Sequence, residues 1–241
     1  MASFIVPDWA PPAGVRALST TRRGGVSHAP WGGFNLGDHV GDDPRAVAAN
    51  RALLRRELPA EPLWLTQVHG TRCVDAATVA PGAEADASVT RRRGVVCAVL
   101  AADCLPVLLC DDRASVVGVA HAGWRGLAAG VIEATVAAMD EPGERLMAWL
   151  GPAIGPQAFE VGSEVRDRFV TDDPMAARAF VAGEYGKWLC DIRQLARQRL
   201  AKLGIRRITG ADSCTKRDME NFFSYRRDGV TGRMASLVWL D

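Results

Sequence analysis

Two histidines and a cysteine carry most of the chemical potential of this chain. His69 stands in Thr66-Gln-Val-His-Gly70, Cys104 in Ala102-Asp-Cys-Leu-Pro106 and His121 in Ala120-His-Ala-Gly-Trp-Arg-Gly126. Two imidazoles and a thiolate offer Zn2+ three ligands and leave a fourth position for water or substrate. Binding requires a deprotonated cysteine and neutral imidazoles. The ion would acidify a bound water or polarise a substrate oxygen. The same residues suit metal-free chemistry, with Cys104 as nucleophile and His121 or His69 as base. A third reading is structural, since a cysteine ending a buried strand behaves as a small hydrophobe and a histidine there can be a satisfied polar group. The separations of 35 and 17 residues match no short ligand motif and leave all three readings open.

Other segments carry weaker signals. Gly123-Trp-Arg-Gly126 opens a helix, and helix starts present free N–H groups to anions. Arg125 there could grip a phosphate or carboxylate; alternatively, the glycines only permit tight strand-to-helix packing and Arg125 is solvated. The rigid loop Gly151-Pro-Ala-Ile-Gly-Pro156 leads to Phe159-Glu160-Val161, where Glu160 is a candidate acid, base or substrate contact. Phe222-Phe-Ser-Tyr-Arg-Arg-Asp228 places aromatics beside Arg226, a combination that can stack a flat base and hold an anion. The same segment also reads as core aromatics with a charged turn. Ser19-Thr-Thr-Arg22 with Gly24-Gly25 caps a pocket or forms a plain turn.

The elements that must position these groups follow from periodicity. Residues 7–12 are Pro-rich and extended, and residues 19–41 are dense in glycine and short polar residues, which marks a loop. Asp43-Pro44 starts a helix through Val47, Asn50, Leu53 and Leu54. Leu63–His69 alternates and reads as a strand, and the unbroken apolar run 95–102 reads as a strand buried on both faces. Pro106–Cys110 and Val116–His121 flank the turn Asp111-Asp112-Arg113 and read as a hairpin or as close neighbours. A helix is expected from about Gly126 to Met139, a strand over Leu146–Leu150, and helices over 162–169, 174–181 and 191–203. Strands at Arg207–Thr209 and Met234–Leu240 complete the chain. Helices and strands interleave without strict alternation, and no dinucleotide or Walker glycine motif is present. The expected fold is α+β: a single α/β sandwich domain spanning 1–241 around a mixed β-sheet.

Composition narrows the function classes. Apolar residues make up 48% and charged residues 24% of the 241 residues, with a formal net charge of +1. Nothing in that balance draws the chain to nucleic acid or an anionic membrane. No run approaches the roughly 18 apolar residues of a spanning helix, and the start lacks a secretory pattern. The six cysteines form no C-x-x-C pair and are expected to be reduced thiols in a cytoplasmic protein. The expected partner is a small-molecule substrate, and the expected state is a monomer.

Five ordered blocks resemble the bacterial YfiH family, whose eukaryotic relative is FAMIN, the laccase domain-containing protein. They are Thr66-Gln-Val-His-Gly70, Ala101-Ala-Asp-Cys-Leu-Pro-Val107, His121-Ala-Gly-Trp-Arg-Gly126, Leu150-Gly-Pro-Ala-Ile-Gly-Pro156 and Phe222-Phe-Ser-Tyr-Arg-Arg-Asp228. The likeness runs from Ile5-Val-Pro to Gly232-Arg-Met-Ala-Ser236. It implies a metal set of His69, Cys104 and His121, with Zn2+ or else Cu2+. It also implies a sandwich resembling the cytotoxic necrotizing factor catalytic domain, a cysteine hydrolase. One departure is Lys216, where many relatives carry an aromatic.

The family's labels imply several activities. One is purine nucleoside phosphorylase acting on adenosine, inosine, guanosine and methylthioadenosine, joined to adenosine deaminase. Another is copper-dependent polyphenol oxidase, or laccase. A third is a peptidoglycan-editing amidase acting on a UDP-MurNAc-amino acid. A cysteine hydrolase using Cys104 and His121 stands beside them. A laccase needs a blue-copper centre and a copper cluster, hence many histidines, and four histidines cannot build it. Deamination suits a metal-activated water, and phosphorolysis needs a cation such as Arg125 to hold phosphate.

Overall fold

Long apolar strands in the middle of a chain need cover on both faces, and here two sheets and two helical layers supply it. The computed structural model describes residues 2–210 and 212–241. In chain order the first elements are β1 (Phe4–Ile5), β2 (Val15–Thr20), α1 (Pro44–Arg55), β3 (Cys73–Asp75), β4 (Ala87–Thr90), β5 (Val96–Ala101), β6 (Leu105–Asp111) and β7 (Val117–Ala122). Next come α2 (Trp124–Ala129), α3 (Val131–Met139), β8 (Leu146–Leu150), β9 (Glu160–Val161), α4 (Ser163–Asp172), β10 (Phe180–Ala182) and β11 (Trp188–Cys190). The last are α5 (Ile192–Lys202), β12 (Arg207–Gly210), α6 (Tyr225–Asp228) and β13 (Met234–Leu240).

A four-stranded antiparallel sheet runs β1-β2-β13-β5. A six-stranded mixed sheet runs β12-β8-β6-β7-β4-β3, parallel at its two outer pairs and antiparallel within. A small antiparallel sheet, β10-β11-β9, lies apart. The two large sheets face each other across Cys97, Val99, Leu108, Val117, Val119, Trp149 and Val238. Alternate residues of β5 and β13, among them Ala98, Leu100, Leu237 and Trp239, turn outward to pack with Leu54 of α1. The outer face of the six-stranded sheet sends Leu105, Val107 and Ala120 against Ile132 and Val136 of α3 and Leu195 of α5. The period of two therefore persists inside unbroken apolar runs, because both faces are buried.

Helix boundaries follow local chemistry. Asp43 caps α1 by accepting from the Arg45 N–H, with Pro44 at the first helical position. Asp191 caps α5 at the Gln194 N–H, and Gly204, at φ +84°, follows its end.

Several expected elements differ. The single helix over 126–139 is two helices, broken where Gly130 takes φ +105°. Leu63–His69 forms only isolated bridges, Leu63 to Cys97 and Thr66 to Glu84, because its N–H groups go in turn to Val96, Ala83 and the Asp86 carboxylate rather than to one strand. Residues 174–181 hold a 3-10 turn over Pro174–Ala179 that passes directly into β10. The loop-like stretch beginning at residue 19 includes the end of β2.

Candidate metal and active site

The polypeptide leaves the four-stranded sheet at the end of β5 and enters the six-stranded sheet at β6, and Cys104 sits in that crossing. His121 lies near the end of β7, paired with Pro106 of β6. His69 arrives on the irregular segment rather than on a strand end. One ligand atom from each of the three falls within 4.8 Å of the others. The Cys104 Sγ to His69 Nε2 distance is 3.8 Å, and the two imidazole centroids are 4.8 Å apart. His121 is buried, Cys104 half-buried and His69 exposed, so the cluster opens to solvent on the His69 side.

Asp86 organises two of the three. One carboxylate oxygen lies 2.8 Å from His121 Nδ1, and the carboxylate also accepts the backbone N–H groups of Val68, His69 and Gly70. Three consecutive N–H groups converge on one carboxylate because His69 adopts φ +59°. Left-handed backbone at a non-glycine residue costs about 1–2 kcal/mol, and charge-assisted hydrogen bonds offset it. Burial pushes the Asp86 carboxyl up, but His121 and these N–H groups outweigh it and hold the group below its ordinary value.

Asp103, the residue before Cys104, ties this crossing to the 215–226 segment. At φ +93° it accepts from Thr215 Oγ1, Ser224 Oγ and the Arg226 N–H, at 2.6, 3.0 and 2.7 Å. The Cys104 thiol feels burial, which pushes it up. The charge and hydrogen bond of His121, followed by His69, prevail and bring it to about 6. Burial lowers His121, while the Cys104 charge and the Asp86 hydrogen bond carry it to about 9. Each of the two groups favours the charged form of the other, drawing the thiol down and the imidazole up.

The glycines of the His121 block make room. A Cβ on Gly123 would lie 2.9 Å from both Cys104 Sγ and His69 Cδ2, and one on Gly126 would lie 2.9 Å from the Gly70 carbonyl. The packing role of these glycines is thus visible. Arg125 is exposed, its Cζ 4.5 Å from the Trp124 ring centroid. Glu160 and Arg226 meet through the backbone, with Arg226 Nη1 donating to the Glu160 carbonyl at 2.7 Å. Through its own N–H, Arg226 is tied to Asp103 beside Cys104. Phe222 and Phe223 are buried and unavailable for stacking, whereas Tyr225 is 61% exposed. Arg22 lies over the Phe223 ring at 4.8 Å. The sequence reading missed Asp86 and Asp103; the one available signal was a carboxylate between small apolar residues, in Ala85-Asp-Ala87 and Ala102-Asp-Cys104.

The donor set fits a zinc ion. Two imidazoles and a thiolate are a known three-ligand catalytic set, and the carboxylate on the far nitrogen of His121 is the usual second partner of a metal-bound histidine. With Nδ1 engaged, Nε2 of His121 is the atom that would face a metal.

A family model described as multi-copper polyphenol oxidoreductase laccase matches residues 16–241. The chain belongs to this family. Curated relatives of the YfiH type span it end to end. A purine nucleoside phosphorylase of Pseudomonas aeruginosa is 53% identical, over 100% of this chain and 99% of its own. The purine nucleoside phosphorylase YfiH of Escherichia coli is 54% identical over 100% of both. Among solved structures, a Neisseria meningitidis protein superposes with a TM-score of 0.96 at 51% identity, covering 99% of each chain. YfiH of Bacillus licheniformis gives 0.87 at 31% identity, covering 94% of this chain and 93% of that one. The mixed α/β architecture is that of the YfiH family, and its named relatives are enzymes acting on small molecules. Among the described residues, His69, Cys104 and His121 form the family member's one group of three candidate metal ligands, and no helix is long and apolar enough to cross a membrane.

Proposed function

We propose that this protein is a zinc-dependent purine nucleoside phosphorylase, acting on adenosine, inosine, guanosine and methylthioadenosine, with adenosine deaminase activity at the same centre. The convergence of His69, Cys104 and His121 at an open edge carries the reading, and full-length relatives bearing the phosphorylase name support it. When bound, Zn2+ supplies Lewis acidity at a position open to substrate.

The chain's own groups then have definable tasks. Cys104, whose thiol His121 and His69 draw down to about 6, would supply negative charge to the metal. Asp86 keeps the Nδ1 proton on His121, so that Nε2 presents its lone pair. Exposed Tyr225 offers a flat face for the purine. Arg125 is a candidate cation for phosphate, and Arg226 and Glu160 border the same edge. In phosphorolysis a phosphate oxygen bonds to C1′ while the C1′–N9 bond breaks, and the purine leaves with the electron pair and takes a proton. A cation near C1′ holds the attacking anion in place.

A second reading has one specific observation in its favour: the lowered Cys104 thiol lies 3.8 Å from His69, which suits a metal-free cysteine hydrolase. A copper-loaded single site with weak polyphenol oxidase action is compatible with the family description, but His28 and His39 lie outside the cluster and cannot supply further coppers. The six unpaired cysteines suit a reducing compartment such as the cytoplasm.

The test is a substrate panel on zinc-loaded, copper-loaded and metal-free protein, covering the nucleosides with phosphate, a phenol and a muramoyl–serine nucleotide. Phosphate-dependent release of hypoxanthine from inosine by the zinc form is the expected result, abolished in Cys104→Ala and His121→Ala. Full turnover in those variants would overturn the site assignment. Hydrolysis by the metal-free form would favour the thiol reading.

A further inference from the structure

Arg233 enters the edge of the same centre from β13. Met234 pairs with Ala101, the last residue of β5. Arg233, one step earlier, therefore lies where the other strand continues into Ala102, Asp103 and Cys104. Its backbone is fixed on both sides: the N–H donates to Asn35 Oδ1 at 2.8 Å, and the carbonyl accepts the Leu36 N–H at 3.2 Å. Its stem runs against Gly37, where a Cβ would stand 2.7 Å from Arg233 Cγ. Glycine at that position leaves the space the stem needs.

The guanidinium is oriented but not neutralised. Nη1 donates to the carbonyls of Thr231 and Gly232, at 3.0 and 3.1 Å. Among the described residues, Nε and Nη2 have no partner, and no carboxylate makes an ion pair with the group. Neighbouring arginines are spent differently. Arg227 pairs with Asp228, Arg51 with Asp38, Arg22 holds the carbonyls of Met219 and Gly32, and Arg226 holds that of Glu160. Arg125 has no acid either, but it is exposed and would lose rotamer freedom on gripping a ligand. The half-buried Arg233 has already lost it. Burial lowers its guanidinium, and the charges that reach it to raise it are those of Cys104, Asp103 and Tyr225. Asp103 is occupied by Thr215, Ser224 and Arg226. Those last two contacts also bring Tyr225, which lies between Ser224 and Arg226, to this edge.

We propose that Arg233 is the fixed phosphate-binding residue of the centre, its free Nε and Nη2 taking two phosphate oxygens as a fork beside His69, Cys104 and His121. The assignment rests on the phosphorolysis reading for its ligand. Its experiment is chosen to separate the two.

Inorganic phosphate is titrated calorimetrically into zinc-loaded wild type, Arg233→Met and Arg233→Lys, and the phosphate and inosine KM values are measured in parallel. Thermal melting checks that each variant is folded. Arg233→Met should weaken phosphate at least about tenfold, the loss expected for a charge-assisted contact, and raise the phosphate KM while the inosine KM stays near wild type. Arg233→Lys, which retains the charge without the fork and the packed stem, should recover part of the affinity and serves as the reference if Arg233→Met does not fold. Wild-type phosphate affinity in a folded variant overturns the proposal, as does absence of phosphate binding by the wild type. If phosphate binding falls in the variants but no nucleoside is split by the wild type, the anion site stands and the phosphorolysis reading fails. If turnover persists with an unchanged phosphate KM, the reverse holds.

Discussion

The Asp86 carboxylate receives the Nδ1 proton of His121 across 2.8 Å and, through the N–H groups of Val68, His69 and Gly70, also shapes the turn that carries His69. One side chain thus holds an imidazole of β7 and the irregular segment that carries the other. An ionised carboxylate only accepts, so the tautomer of His121 follows from this contact.

Asp86→Asn tests that dependence. An amide can satisfy some of the N–H donors, but its NH2 group can turn toward His121 and favour the wrong tautomer. Zinc affinity, measured by competition with a chromophoric chelator, should fall about 10- to 100-fold, with the far-UV spectrum preserved. Asp86→Ala should lose more, because three backbone donors are left without their acceptor.

Thiol reactivity gives an independent measurement. His121 and His69 draw the Cys104 thiol from its ordinary value down to about 6. Burial holds Cys97, Cys110 and Cys190 near 12 and Cys73 near 11. Alkylation at the Cys104 peptide, followed by mass spectrometry, should rise with a midpoint near pH 6 and be suppressed by zinc. The stability of metal-free protein follows the same pair. The Cys104 value lies below the ordinary 9.0, so its contribution is full above that value and fades as pH falls through about 6. The His121 value lies above the ordinary 6.5, so its contribution is full below 6.5 and fades as pH rises through about 9. Between about 6 and about 9 the gain at Cys104 offsets the loss at His121, because thiolate plus imidazolium holds as many protons as thiol plus neutral imidazole, so the pair should leave the melting temperature of metal-free protein nearly independent of pH across that range.

Gly123→Ala places a methyl 2.9 Å from Cys104 Sγ and His69 Cδ2. Both neighbours belong to the proposed ligand set, so room for the methyl would come from the geometry of that set. Turnover and zinc affinity should drop at least about tenfold, while the melting temperature changes little beside a core cavity such as Trp149→Ala, which costs about 3–5 kcal/mol. Equal losses of stability in the two variants would show that Gly123 matters for the fold rather than for the centre.

Much of this arrangement was readable in the residues themselves. Asp43-Pro44 and Asp191 mark helix starts by local capping, which needs no tertiary partner. The run 95–102 reads as a strand because burial on both faces removes every polar residue from it. Leu63–His69 misleads for the opposite reason. Its alternation is real, but its backbone bonds go to Val96, Ala83 and the Asp86 carboxylate rather than to one strand. The Asp86–His121 contact spans 35 residues, and a carboxylate among the small residues of Ala85-Asp-Ala-Ser88 does not name its partner. The same is true of Asp103, whose partners lie more than 110 residues away.

Asp103 provides the last expectation. Its backbone sits at φ +93°, which asparagine tolerates better than most residues. Asp103→Asn can therefore keep the turn while exchanging the charged acceptor for an amide with one accepting oxygen. Asp103→Ala removes the acceptor for Thr215, Ser224 and the Arg226 N–H together, at about 1–3 kcal/mol for each buried donor left unpaired. In urea unfolding, Asp103→Ala should lose clearly more stability than Asp103→Asn. Hydrogen exchange at the Arg226 amide should accelerate in both. Because Tyr225 is carried between two of these contacts, the inosine KM should rise in Asp103→Asn even where the zinc content is unchanged. An unchanged KM in a variant with fast Arg226 exchange would show that the 224–226 segment takes no part in holding substrate.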